Sequence, residues 1–176
     1  MAIAVQVLLA AQAAVQIVLG LTTGTGSGLF AQAAPLTMPL FLGTVVVFLC
    51  WLRQCRLNAE AFAPGTQKYT VGSAVGVWFV PVVMWFAPRR VVLDIRRAGG
   101  SAGGAWVIEA WWVAWLAKSV GFTAYLVIDQ QGNPHAPLVV LVDVAAAVLA
   151  ILLVAQVSAA QTNRIGTAAG PSGTVA

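Results

Sequence analysis

Two apolar runs, Ile3–Leu21 and Leu138–Val157, reach the length that crosses the hydrocarbon core of a bilayer, about 20 residues at 1.5 Å rise each. Inside lipid every backbone N–H and C=O must find a partner within the protein, which a helix provides and an open strand does not. The composition agrees, with 60% of residues hydrophobic and 8% charged, against about 25% charged in a soluble domain. The expected fold class is all-α integral membrane. No polar segment is long enough for a second domain, so residues 1–165 are expected to form one polytopic membrane domain and 166–176 a small, polar, disordered tail. The N-terminus lacks the basic stretch of a signal peptide, and Ile3–Leu21 is taken as a retained first span.

Pro35 and Pro39 flank the start of a second span, LFLGTVVVFLCWL, which continues as the polar helix RQCRLNAEAFAP until Pro64 and Gly65 stop it. The third stretch, VGSAVGVWFVPVVMWFAP, is at the lower limit for a span and has Pro81 in its middle. If it crossed, Lys68 would lie on one side and Arg89, Arg90, Arg96 and Arg97 on the other, against the positive-inside tendency. A re-entrant hairpin breaking near Pro81 keeps both basic loops together and predicts a cavity, because irregular backbone at that depth must be buried or line one. With spans at Ala105–Ile128 and Leu138–Val157, the expectation is four transmembrane helices plus a re-entrant helical hairpin; the alternative is five transmembrane helices. The basic loops and the C-terminus then face the cytoplasm of a multi-pass cell-membrane protein. The net charge of +4 reports residues placed near lipid headgroups, and no nucleic-acid module is present. Cys50 and Cys55 sit beside Arg53 and Arg56 at the cytoplasmic boundary and are read as reduced thiols.

Trp106–Gly121, WVIEAWWVAWLAKSVG, concentrates the chemistry. At about 100° per residue, Glu109 shares a helix face with Trp106, Trp112, Val113 and Leu116, while Trp111, Trp115 and Lys118 lie opposite. An ionisable group at membrane depth costs at least about 2.5 kcal/mol, so each needs a partner or a purpose. Lys118 and Asp143 fall at similar depths and are expected to form an ion pair locking the fourth span to the last. Gln12 and Gln16, spaced i, i+4, are expected to bond the first helix to its neighbours. Arg56 stands at i−4 from Glu60, a spacing that holds the acid ionised. Glu109 lies one turn inside its helix: indole walls would keep a proton on it, whereas an arginine such as Arg96 would make it an anchor.

The blocks RLNAEAFAP, YTVGSAVGVWFVPVVMWFAPRRVVLDIRRA and AWWVAWL, within about residues 45–120, are similar to those of the actinobacterial membrane domain of unknown function 4328. That resemblance implies a small polytopic membrane protein and no particular activity. Its typical polar residues fall here on Asn58, Glu60, Arg89, Arg90 and Asp94. The chain departs from the pattern at Glu109, where Asn or a small residue is more usual, and in the short linker AGGSAGG.

A protonated acid in an aromatic hollow within a bilayer suits protonation-initiated cyclisation of an isoprenoid, in which indole faces stabilise the moving carbocation by about 2 kcal/mol or more each. The expected function is accordingly an integral-membrane terpene (meroterpenoid) cyclase acting without metal or other cofactor on a prenylated lipophilic substrate. Small integral-membrane terpene cyclases are similar in outline only. Glu109 would donate the proton, Asp94 and Glu60 would serve as alternative acids or positioning groups, and Trp78, Trp85, Trp106, Trp111, Trp112 and Trp115 would form the walls, with Asn58, Arg89 and Arg90 completing the binding set. Diphosphate ionisation would need clustered carboxylates for magnesium, and no DDxxD or DxDD run occurs. His135, the single histidine, stands in an outer loop and supports no triad. The glycine-rich TTGTGSG lacks the lysine of a phosphate loop. The alternative is a non-catalytic membrane interaction or scaffold protein, with Glu109 paired to an arginine and no lipid-sized cavity. Transport would want polar residues aligned on several spans, and only the first-span glutamines qualify.

Overall fold

Ala-rich sequence without an internal proline carries the first helix, α1 (Ala2–Thr22), until the glycine-rich segment; Thr23 N–H closes it on Leu19 O. The computed structural model describes residues 1–23, 28–100, 105–121, 123 and 136–168. His135 with the rest of residues 129–135 of the expected outer loop DQQGNPHAP, and the tail beyond 168, lie outside the described residues. A short helix α2 (Gly28–Ala33) and a 3-10 turn (Ala34–Leu36) lead into α3 (Thr37–Phe62). Pro39 is tolerated in the first turn of α3, where backbone N–H groups have no helical acceptor.

The end of α3 is held by buried Arg56, whose Nε and Nη2 donate to Tyr69 O at 2.8 and 2.5 Å and whose Nη1 donates to Glu60 Oε2 at 2.8 Å. Glu60 Oε1 in turn accepts from Gly65 N–H at 2.9 Å. Gly65 has φ +72°, the left-handed conformation that glycine adopts at little cost. This network folds the chain back beneath the helix.

The third apolar stretch does not cross as one helix. It forms α4 (Val71–Gly76), capped by Thr70 Oγ1 accepting from Ser73 N–H, then irregular turns through Pro81 and Val82, then a 3-10 turn (Val83–Trp85). Pro81 removes a donor, and Val82 sits at φ +68°, so the helix breaks where the re-entrant reading placed the break. The amphipathic α5 (Ala87–Ala98) follows and buries Val91, Val92, Ile95 and Ala98 against the bundle.

The tryptophan-rich α6 (Ala105–Leu116) widens into a π turn (Ala117–Gly121), and the final helix α7 (Pro137–Ala168) runs past Gly166, beyond the expected start of the tail. Among the described residues three helical runs are long and apolar enough to cross a membrane: α1, the run Gly28–Phe62 and Pro137–Thr167. The fourth expected span is described only over Ala105–Gly121 and at Thr123. The chain is thus an all-helical membrane protein, with α1 and α3 packed against each other and α1 and α6 against α7.

In lipid, burying apolar side chains gives little net drive for helix association, so packing and interhelical hydrogen bonds of about 0.6 kcal/mol each carry it. Trp51 Nε1 donates to Ser158 Oγ at 3.1 Å, Asn58 Nδ2 to Gln161 Oε1 at 2.9 Å and Gln161 Nε2 to Cys55 O at 2.9 Å. These join α3 to α7. On α1 it is Gln6, not Gln12 or Gln16, that reaches α7, at Ile151 O. Cys50 is exposed and Cys55 buried, both as free thiols.

Candidate functional site

Asp143, Ala146, Ala147 and Ala150 are spaced i, i+3, i+4 and i+7 along α7, so they share one face. The three alanines leave space there, and α1, α3, α6 and the broken segment around Trp78, Phe79 and Met84 border it, leaving it open on one side. The result is a chamber of two adjoining lobes, about 620 and 450 Å³, which share Gln12, Gln16, Phe41, Lys118 and Asp143. Phe48, Trp78, Phe79, Met84, Trp111 and Trp115 line the smaller lobe. A hollow thus borders the segment that breaks at Pro81. It lies in the half of the bundle away from the arginine-rich segment, not beside Glu109.

Trp78 is the hub of the aromatic wall. Its ring meets Phe48 edge-on at 5.3 Å, Trp115 edge-on at 6.2 Å and Trp111 at 6.2 Å, geometries worth about 0.5–1.5 kcal/mol each beyond area burial. Trp112 is buried and stacks on Trp115 at 4.9 Å and 13°. Trp85 and Trp106 are exposed and lie outside the lining.

At the junction of the lobes Lys118 Nζ stands 2.9 Å from Asp143 Oδ1, with side chains 36% and 12% exposed. The pair joins α6 to α7 as the depth count expects. Lys118 is carried by the π turn, a form that recurs at functional sites because its extra residue re-aims a side chain. The side-chain amides of Gln12 and Gln16 make no hydrogen bond to a described residue, and both face the chamber. Their expected role as glue is corrected: Gln6 performs it, and these two are left with free donors and acceptors.

The expected acids are elsewhere. Arg89 Nε donates to Glu109 Oε2 at 2.6 Å and Arg89 Nη2 to Glu109 Oε1 at 2.5 Å, a two-pronged bridge that holds the Arg89 guanidinium more firmly protonated. The proton-bearing Glu109 is thereby corrected: its oxygens accept from a cation, and that cation is Arg89, not Arg96. Asp94 pairs with Arg97 at 3.2 Å and Glu60 with Arg56. Asn58 is spent on Gln161, and Arg90 is exposed. None of these residues lines the chamber, so the expected site residues that meet there are Trp78, Trp111 and Trp115.

A family model, Domain of unknown function (DUF4328), matches residues 22–161. The chain belongs to this family. No curated protein and no solved structure matches it. The matched DUF4328 region contains every residue of the chamber except those supplied by α1, so Gln12 and Gln16 come from outside it. Within the DUF4328 region, Asp143 and its alanines could have been found in the sequence as an acid followed by small residues on one face. Phe41 and Phe48, one face of α3, carried no comparable signal. Among the described residues no group of three or more His, Cys, Asp and Glu is placed to share a metal ion.

Proposed function

We propose that the protein resides in the cytoplasmic membrane, basic end inward, and binds a prenylated lipophilic molecule in the aromatic chamber. The isoprenoid chain occupies the lobe walled by Trp78, Trp111, Trp115 and Phe48. The head lies against Lys118, Asp143, Gln12 and Gln16. What carries the reading is that one hollow holds both the aromatic wall and the polar group. The charges of Lys118 and Asp143 cancel, so a head with net charge would meet no counter-charge, whereas a neutral hydroxyl or carbonyl finds donors and acceptors. The test is quenching or enhancement of tryptophan emission when farnesol or farnesyl diphosphate is added to the protein in nanodiscs. Saturable change with farnesol, much weaker with the diphosphate, supports the reading. Equal response to both, or none, ends it.

Cyclisation of that ligand is the second reading, favoured by a carboxyl group facing the same indoles. The acid in that reading is Asp143, to which the Lys118 ammonium 2.9 Å away would pass a proton, and not Glu109. Its O–H proton would pass to a terminal alkene carbon, the resulting cation would close a ring against a second alkene, and a neighbouring C–H would return a proton to the carboxylate. Membranes incubated with farnesylated aromatic compounds should then yield isomers of unchanged mass with the wild type and not with Asp143→Asn. No conversion, or undiminished conversion by that variant, leaves binding alone.

A further inference from the structure

Every lysine and arginine of the chain except Lys118 lies at the end of the bundle opposite the chamber, where α3 and α7 finish and α5 is laid across them. Glu60, Asp94 and Glu109 answer only part of that charge, each by one ion pair to Arg56, Arg97 and Arg89. Among the described residues Arg164 has no carboxylate partner. Its guanidinium rests over the Phe62 ring, 5.7 Å from the centroid, and lines a hollow of about 360 Å³ between α5 and α7, together with Gly99, Gly100, Asn163 and Thr167.

Gly100 lets the Arg164 guanidinium lie close against the backbone. A Cβ at Gly100 would come within 2.9 Å of Arg164 Nη1, and Gly100 already has φ +76°. A side chain there would displace the guanidinium and strain the backbone as well. The Asn163 amide makes no hydrogen bond to a described residue. One turn before Gly99, Arg96 is 9% exposed and its Nη2 has no hydrogen-bond partner, a buried cation whose charge nothing nearby in the described chain offsets.

From this we infer that the α5–α7 junction binds the phosphodiester of an anionic phospholipid, with Arg164 as principal ligand, Asn163 as second donor and Arg96 adding field. A guanidinium matches two phosphate oxygens with a planar pair of donors. The location favours a lipid headgroup over a soluble anion: the hollow sits at the end of two helices long enough to span the membrane, beside an amphipathic helix, where anionic headgroups are concentrated. The inference is independent of the chamber and its ligand.

The experiment is native mass spectrometry of the full chain released from vesicles of phosphatidylcholine with and without phosphatidylglycerol. The wild type should retain phosphatidylglycerol in preference to phosphatidylcholine. Arg164→Met should weaken that retention by roughly tenfold, the effect of one charge-assisted hydrogen bond. Gly100→Ala should weaken it in the same direction with every charge in place. Arg53→Met, which removes an equal charge from exposed α3 surface, should leave retention intact. The inference is overturned if Arg164→Met and Gly100→Ala retain the lipid as the wild type does, or if Arg53→Met loses as much, which would mean diffuse attraction only. It is also overturned if inorganic phosphate displaces the lipid at comparable concentration, which would make this a soluble-anion site. Should Arg164→Met fail to fold, Gly100→Ala and Asn163→Leu decide it on the same readout.

Discussion

Arg89 grips both carboxylate oxygens of Glu109 and so ties the start of α5 to the first turns of α6. Both side chains are about two-fifths exposed, at 37% and 43%, which places the bridge in the class of modest, screened pairs. Glu109→Gln should therefore lower stability by about 1 kcal/mol or less, read as a small shift of melting temperature in detergent. It should leave ligand binding in the chamber unchanged. A loss of binding by that variant would return Glu109 to the site.

Lys118 and Asp143 differ from that pair because Asp143 is largely buried. Replacing Asp143 by Leu strands the ammonium and should cost about 2–4 kcal/mol, less than a fully buried pair because Lys118 is partly exposed. The double change Lys118→Met with Asp143→Leu should recover most of that stability and still abolish binding of farnesol. Thermal melting with tryptophan titration separates the two effects. A double variant no more stable than the single would contradict the pairing.

Ala147 lines the smaller lobe. Ala147→Phe should fill it, reducing binding of a prenylated ligand by an order of magnitude or more while changing stability by under about 1.5 kcal/mol, since the added ring enters space and not a packed core. The check is the tryptophan titration repeated on this variant. Undiminished binding would mean that the ligand sits elsewhere.

Buried Arg56 serves Tyr69 O and Glu60 together. Arg56→Met leaves the Tyr69 carbonyl unanswered, while Glu60 keeps the Gly65 N–H and solvent, so the lost carbonyl bonds should destabilise by about 1–3 kcal/mol. The effect should be local first, as faster proteolysis within residues 63–70. Limited digestion with mass mapping would detect it, and cleavage unchanged there would deny the network its structural role.

The span-forming helices were legible because lipid imposes a length and a composition that few other environments share, and Pro81 marked the break in the hairpin for a purely steric reason. The Lys118–Asp143 pair followed from counting depth along two helices. The partner of Glu109 did not. Arg89 and Arg96 are seven residues apart and so share a face of α5; only the path into α6 selects between them. The chamber's position was hidden for a related reason. Helix α6 is apolar on all sides, so its wheel separates Glu109 from Trp111, Trp115 and Lys118 without saying which side turns inward. Of the α6 tryptophans, the two that line the chamber, Trp111 and Trp115, lie opposite Glu109, while Trp112, on its side, is buried against Trp115. Gln12 and Gln16 were likewise visible as a pair, but whether a shared face meets a backbone carbonyl or a hollow depends on the neighbouring helix, here on the alanines of α7.

The π turn at Ala117–Gly121 has a consequence for the chain's tolerance of length change. A wide turn holds one residue more than an α-helix uses for the same advance, so whatever leaves it is rotated by about 100° relative to the indoles that enter it. Excising Ala117, which precedes the lysine, would swing the ammonium around the axis and leave the carboxyl on the facing helix stranded. At this spot a lost codon would do more harm than most exchanges of side chain.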